Sequence, residues 1–221
     1  MKRILGCVAA MALVFGVMPT SASAQLANFP VTVSPHHGAG LGFGVLYGRG
    51  LNNNSGKSNA FGAGARLGLG KLNIAAGAVS VSDVVTFTGT ESKISFAGQV
   101  EFVVLQPVAS PIAISVFGGA GTLSDGGTVI PFGVGIGISP PMVGASVEIW
   151  AAPRYQIFSP DGGGDSVNDF GASGGVRIGL PVGLGFGAAI DWVNRDDADG
   201  GSQLLFGATA GYRFTIPGLG G

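Results

Sequence analysis

The sequence predicts an all-β fold, an antiparallel up-and-down transmembrane β-barrel of about ten strands, with eight strands as the alternative count. Three observations lead to it: apolar residues alternate with glycine, hydropathy is high without a long apolar helix, and polar loops recur along the chain. The chain has 221 residues, of which 42 are glycine and only 10% are charged, and its mean hydropathy is +0.49. After residue 18 no apolar run approaches the ~20 residues that a membrane helix needs, so alternating strands remain the way to place this surface in lipid.

The alternation is clearest in residues 170–192. One parity of its second half is apolar, formed by Val182, Leu184, Phe186, Ala188, Ile190 and Trp192. The other parity consists mainly of glycine and alanine. Because a strand sends successive side chains to opposite faces, this stretch has one apolar face and one nearly bare face. Lipid on the outside and a narrow lumen inside would explain both faces.

Residues 1–24 predict a secretory signal peptide, and residues 25–221 a single barrel domain. Lys2 and Arg3 precede an apolar core at 4–18, and Ala22-Ser23-Ala24 is a small-residue cleavage site. Cys7 is the only cysteine, so the mature protein would contain neither a disulfide nor a thiol. No basic cluster points to nucleic acid.

The ten predicted strands follow an irregular lead-in at 25–37. They are 38–49, 59–69, 72–82, 93–106, 112–121, 128–139, 143–155, 170–180, 182–192 and 203–216. The connections alternate between long polar loops, including 83–92, and short turns such as Gly70-Lys71 and Pro140-Pro141. This rhythm is typical of a barrel with both termini on the periplasmic side and long loops outside. Closure also removes unpaired sheet edges, which lipid does not tolerate.

In strand pattern and loop rhythm, residues 38–216 resemble the small bacterial outer-membrane β-barrels, the group that includes OmpA-type and OmpW-type barrels. The resemblance rests on the signal peptide, the alternation, the loop rhythm and a last strand that contains Tyr212 and Phe214. It implies a place in the bacterial cell outer membrane, insertion by the outer-membrane assembly machinery, and contact with outer-membrane lipid and lipopolysaccharide.

The inward parity carries a small set of polar residues. They are Arg66, Gln99, Glu101, Glu148, Arg177, Asp191 and Arg213. We interpret them as a lumen network that ties strands together, or alternatively as a polar constriction that selects solutes. A catalytic pair formed by Glu101 and Glu148 is a third interpretation. We expect no enzyme, cofactor or metal site, because His36 and His37 lack further ligands and no Ser-His-acid arrangement can be assembled.

The resulting functional prediction is a narrow channel for the passive passage of small solutes. The alternative is a closed-lumen structural or adhesive surface barrel that acts through its extracellular loops, and a third class is a soluble secreted barrel with an apolar cavity. The inward glycines fit a partly hydrated lumen, but they equally fit the strong twist of a small barrel. Acidic residues in the loops could bind Ca²⁺ or remain solvated: Asp161, Asp165, Asp169, Asp196, Asp197 and Asp199. Aromatic residues near the strand ends (Tyr47, Trp150, Tyr155, Trp192, Tyr212 and Phe214) suggest two interfacial belts.

Overall fold

The computed structural model describes residues 29–55, 57–86, 89–107, 110–123, 126–162, 164–194 and 201–216, without the side chains of 83–91. The predicted signal peptide lies outside these residues, as do Asp196, Asp197 and Asp199. In the described part of the chain, no helix is long and apolar enough to span a membrane.

Ten antiparallel strands close into one barrel, in which each strand pairs with the next and β1 pairs with β10. They are β1 (Gly40–Gly50), β2 (Asn59–Leu69), β3 (Leu72–Thr86), β4 (Gly89–Leu105), β5 (Ile112–Thr122), β6 (Thr128–Ile138), β7 (Ser146–Ser159), β8 (Val167–Gly179), β9 (Leu184–Asn194) and β10 (Gln203–Phe214). The predicted fold class and the count of ten strands are confirmed. We call the end where β1 begins and β10 ends the terminal end, and the opposite end the far end.

The predicted rhythm of long and short connections holds only in part. The loop expected at 83–92 is instead the tip of a hairpin, since β3 continues to Thr86 and β4 begins at Gly89. Val84 pairs with Glu91 and Val85 with Thr90, after a register shift that follows Val81. Valine and threonine, which favour strands, are among these residues. The hydrogen-bonded ladder between β3 and β4 therefore continues toward the tip of the hairpin. At the terminal end, the turn expected at Pro140-Pro141 extends over 139–145.

The apolar parity of the strands faces outward. Val100, Ile136 and Phe186, on three different strands, are 48%, 40% and 48% exposed. The opposite parity is enclosed, and its buried members include Leu46, Ala113 and Ala189. The barrel therefore presents an apolar exterior, as the alternation predicts. Trp150 is buried inside the lumen, as its inward parity indicates, and therefore does not belong to the aromatic belts suggested for the strand ends.

The lumen is not empty, because residues 29–38 run through it; we call them the lumen segment. Phe29 and Val31 are 0% exposed, and Val33 is 1% exposed. Phe29 packs with inward residues of β1 to β4, among them Leu46. Val31 and Val33 belong to a second buried cluster that includes Trp150. The sequence prediction of a lead-in that precedes the barrel therefore missed its position.

Glycines of the wall make room for the lumen segment. A methyl group on Gly207 would lie 2.6 Å from Cδ of Pro30, and one on Gly135 would lie 3.2 Å from Cγ2 of Val33. At Gly40 the chain leaves the lumen and enters the wall with a φ of 134°, a conformation that other residues rarely adopt. Part of the glycine pattern is thus explained by a segment of the chain that occupies the lumen.

Replacing an outward residue at mid-wall by arginine tests the lipid-facing exterior. Phe96 is 59% exposed and pairs with Ala78, close to the middle of β3. We expect Phe96→Arg to lower the free energy of unfolding from phospholipid bilayers by about 2–4 kcal/mol, because the guanidinium would be placed in hydrocarbon. Urea titration of bilayer-reconstituted protein measures this change. Asn53→Arg in the connection between β1 and β2 is the control, and an equal loss in both variants would contradict a lipid-facing wall.

Candidate functional site

All seven polar residues predicted for the lumen lie on the inward parity of their strands, but they do not form one network. Gln99, Glu101, Glu148 and Asp191 are buried. They divide into a group toward the far end, centred on Asp191, and a group toward the terminal end, centred on Glu101 and Glu148. Whether these residues serve a function stays a prediction.

The group toward the far end is a buried ion pair between β7 and β9. Nη1 and Nη2 of Arg154 donate to the two carboxylate oxygens of Asp191 at 2.6 and 2.9 Å. Nε of Arg154 donates to Oε1 of Gln156 at 3.1 Å, and Nη1 reaches Oγ of Ser173 at 3.4 Å. Both charged side chains are fully buried. A bidentate pair with further hydrogen bonds is the arrangement in which a buried charge is tolerated.

The sequence analysis omitted Arg154 and Gln156 from this group. The signal was present, since both share the parity of Glu148 and Trp150 on the same strand. Gly171 on β8 leaves space for the guanidinium, because a methyl group there would lie 3.1 Å from Cζ of Arg154. Extending the inward parity to the end of β7 would have found the partner of Asp191.

Toward the terminal end, Glu101 of β4 binds the backbone of the lumen segment. The N–H of Ser34 donates to both carboxylate oxygens at 3.1 Å. Nδ2 of Asn73 donates to Oε2 at 3.0 Å, and Oγ of Ser115 donates to Oε1 at 2.7 Å. Wall and segment together therefore satisfy a carboxylate that is almost fully buried.

Glu148 of β7, three strands away from β4 in the sheet, binds the same segment. It accepts from the N–H of His36 at 3.0 Å and from Oγ of Ser34 at 3.1 Å. Nη1 of Arg177 also donates to it at 2.9 Å, while Nη2 of Arg177 donates to the carbonyl of Val33 at 3.2 Å. Glu148 and Arg177 thus form an ion pair between neighbouring strands, and both side chains also contact the lumen segment.

These contacts define what the two carboxylates can do. Both oxygens of Glu101 and both oxygens of Glu148 accept hydrogen bonds from the lumen segment or the wall. A general base needs a free oxygen that faces a substrate. The geometry favours retention of the lumen segment over catalysis by this pair.

His37 lies at the point where the lumen segment approaches the terminal end. Its Nδ1 donates to the carbonyl of Ser34 at 3.0 Å, and its ring is buried. Burial and the neighbouring Arg66 lower the pKa of His37 below its ordinary value, and Glu101 opposes this change only in part. The seated segment therefore favours an uncharged imidazole.

The described residues contain no group of three or more His, Cys, Asp or Glu side chains that could hold a metal ion. Asp161 and Asp165, suggested above for Ca²⁺, lie exposed in the connection between β7 and β8. Asp169 is buried on β8 instead, with Oδ1 lacking a hydrogen-bond partner.

Breaking the Arg154–Asp191 ion pair tests how much it contributes to the stability of the barrel. We expect Asp191→Asn to lower the free energy of unfolding by about 3–5 kcal/mol, since a buried guanidinium would lose its counter-charge. The double variant Arg154→Met/Asp191→Leu should lose less than the single variant, because neither charge remains. Urea unfolding in detergent micelles measures both, with Arg49→Gln at the far end as the control. A single variant as stable as the control would contradict the assignment.

The lowered pKa of His37 predicts a pH dependence of stability. The unfolded chain takes up the proton near pH 6.5, whereas the folded protein takes it up only at lower pH. The contribution of His37 is therefore fully present above about pH 6.5 and is lost as the pH falls through that value. Urea unfolding between pH 8 and pH 5 should show a steeper loss for the wild type than for His37→Asn, whose amide still donates to Ser34. Identical pH profiles would rule this out.

Comparisons with known proteins assign this chain to no family. No protein-family model and no curated protein matches its sequence. Among solved structures, LpxR from Salmonella typhimurium is similar with a TM-score of 0.47 and 9% identity, over 80% of this chain and 100% of that chain. Ail, the attachment invasion locus protein of Yersinia pestis, is similar with a TM-score of 0.31 and 13% identity, over the same shares. The closed antiparallel barrel of this chain and its own residues therefore carry the functional argument.

Proposed function

We propose that this chain is a β-barrel of the bacterial outer membrane and a gated narrow channel for small solutes, in which the lumen segment is the gate. The observation that carries the proposal is that the bore is filled by a segment of the chain, while the facing wall positions are glycine. The absence of enzymatic activity, insertion by the outer-membrane assembly machinery and contact with lipopolysaccharide stay predictions.

The outer surface supports a membrane location. Large apolar side chains are exposed on all ten strands, for example Val45, Phe61, Ile94, Ile149 and Ile190. A soluble monomer rarely exposes a contiguous apolar patch beyond a few hundred Å². A closed barrel also pairs every strand, as lipid requires. This argues against the soluble secreted barrel among the alternatives.

Aromatic pairs near both ends of the barrel support the same location. Toward the far end, the rings of Tyr47 and Phe61 lie 5.0 Å apart, and those of Phe132 and Tyr155 lie 5.4 Å apart. At the terminal end, the ring of Phe214 lies 4.6 Å from that of Tyr212. Amphipathic rings at both interfaces are typical of proteins that span a membrane.

The energetics of the lumen segment suit a gate. Ordering its ten residues costs about 10–20 kcal/mol of backbone entropy. Burial of Phe29, Val31 and Val33 returns about 5–9 kcal/mol. The hydrogen bonds to Glu101, Glu148 and Arg177 contribute about 1.5–3 kcal/mol each. These opposing contributions are of the same order, as a segment that enters and leaves the bore requires.

The second candidate is a closed-lumen surface barrel that acts through its loops. The contacts of the segment with Glu101, Glu148, Gln99 and Arg177 favour it, because they hold the bore shut from several strands at once. The two candidates differ in what happens when the segment is removed.

Conductance in planar bilayers tests the gate. We expect the wild type to be closed for most of the recording and a variant lacking residues 29–37 to give sustained conductance steps, because the wall alone leaves the bore open. Heat-modifiable gel mobility shows that each protein is folded. A folded deletion variant without conductance would reject the channel and favour the closed surface barrel. A wild type that conducts as steadily as the deletion variant would contradict gating.

A matched pair of glycine substitutions provides a milder test. In Gly207→Ala the new methyl group would meet the rigid ring of Pro30 at 2.6 Å, whereas in Gly42→Ala the nearest atom is the carbonyl oxygen of Tyr212 at 3.7 Å. We expect Gly207→Ala to raise the open probability and Gly42→Ala to leave it at the wild-type value. Equal behaviour of the two variants would contradict the position of the segment.

A further inference from the structure

The lumen segment does not fill the bore evenly. On the β6 side a methyl group on Gly137 would lie 3.0 Å from Nδ1 of His36. On the opposite side, methyl groups on Gly42 and Gly185 would meet only backbone oxygens, at 3.7 and 3.6 Å. Space therefore remains along β1 and β9 in the terminal half of the lumen. A cavity there is lined by Arg66, Arg177, Arg213 and Glu148; we call it the vestibule.

The sheet register places two arginines on either side of a glycine. Gly42 of β1 pairs with Arg66 of β2 and with Arg213 of β10. All three positions share the inward parity, and strands two apart are separated by about 9–10 Å. Since Gly42 has no side chain, nothing on β1 stands between the two guanidinium groups. This spacing lets both reach one small molecule from opposite sides.

Among the described residues, neither arginine of this pair has a carboxylate partner. Nε of Arg66 donates to Oδ1 of Asn73 at 3.0 Å, and within the described part of the chain no carboxylate lies within 4.0 Å of Arg66 or Arg213. Arg66 interacts electrostatically with four charged side chains around it, which are Arg177, Arg213, Glu101 and Glu148.

The two carboxylates near the vestibule are already engaged. Glu148 accepts from Arg177, His36 and Ser34, and Glu101 accepts from Ser34, Asn73 and Ser115. The vestibule thus contains an excess of positive charge. Like charges in a partly enclosed space repel each other and are stabilised by a bound anion.

The vestibule is open to solvent. The side chain of Arg177 is 28% exposed, although that of its partner Glu148 is only 7% exposed. Arg213 is exposed, and its Nη1 lies 2.7 Å from where a Cβ on Gly38 would be, at the exit of the lumen segment. An anion can therefore enter from the terminal end while the segment remains seated.

We propose that the vestibule binds a small oxyanion, a carboxylate or phosphate group, between the guanidinium groups of Arg66 and Arg213. Planar guanidinium groups suit such ligands because they donate two parallel hydrogen bonds. The inference deepens the proposed function by naming the class of solute. It rests on that function for one point, that the vestibule opens on the periplasmic side of the membrane. Binding itself requires only the folded barrel.

Titration calorimetry of the full-length mature protein in a zwitterionic detergent tests the site, with citrate and inorganic phosphate as probes. We expect Arg66→Gln and Arg213→Gln each to weaken binding about tenfold, the size of one lost charge-assisted contact. Arg49→Gln at the far end removes a guanidinium outside the vestibule and should bind as the wild type does. Heat-modifiable mobility shows that the variants are folded, and the exposed Arg213 serves as the second variant if Arg66→Gln fails to fold.

The outcomes separate the site from the gate and identify the source of the anion. No binding of either probe to folded wild type, or equal weakening in Arg49→Gln, would overturn the site. Binding together with a silent deletion variant would keep the site and reject the channel. Short-chain phosphatidic acid serves as a third probe: if it binds more tightly than phosphate and both vestibule variants lose it, the site takes a lipid headgroup. Tighter binding of the free anions assigns the site to a soluble solute.

Discussion

The hydrogen bonds from the N–H groups of Ser34 and His36 to the carboxylates of Glu101 and Glu148 are the interaction on which the interior depends. An irregular segment inside a barrel has backbone groups that no strand satisfies, and each unsatisfied group in such a place costs free energy. Two buried carboxylates, on β4 and β7, meet this need. The wall supplies their remaining hydrogen bonds through Asn73, Ser115 and Arg177.

The polar residues of the inner face make different contacts at the two ends of the barrel. Toward the far end, Arg154 and Asp191 neutralise each other and join two strands that are not neighbours in the sheet. Toward the terminal end, carboxylates hold the lumen segment, while Arg66 and Arg213 keep their charge available. One parity of the same strands thus contains a structural ion pair, the residues that hold the lumen segment and a basic vestibule, whereas the other parity is predominantly apolar.

Much of the wall could be predicted from the sequence, because alternation is local. The bounds of β2 agree at both ends, and the inward parity placed Glu148, Arg177 and Asp191 correctly. The position of the lumen segment could not be predicted. Its alternation of Phe29, Val31 and Val33 is too short to show what these residues pack against, and its polar contacts join distant residues, such as Ser34 and Glu101. The role of the inward glycines was ambiguous for a related reason. A missing side chain is equally compatible with a hydrated lumen, with strong strand twist and with a segment that occupies the lumen. Arg154 was within reach and was missed only because the parity of β7 was not followed to its end.

The occupancy of the bore by residues 29–38 is tested most directly by thiol labelling of protein that starts at Gln25. Such protein has no native cysteine, because Cys7 is the only one in the chain. The account predicts that Val31→Cys resists a bulky maleimide in the folded barrel and reacts fully after unfolding, whereas Val143→Cys, exposed at the terminal end, reacts in both states. Labelling of Val31→Cys in the folded protein at the rate of Val143→Cys would contradict the account.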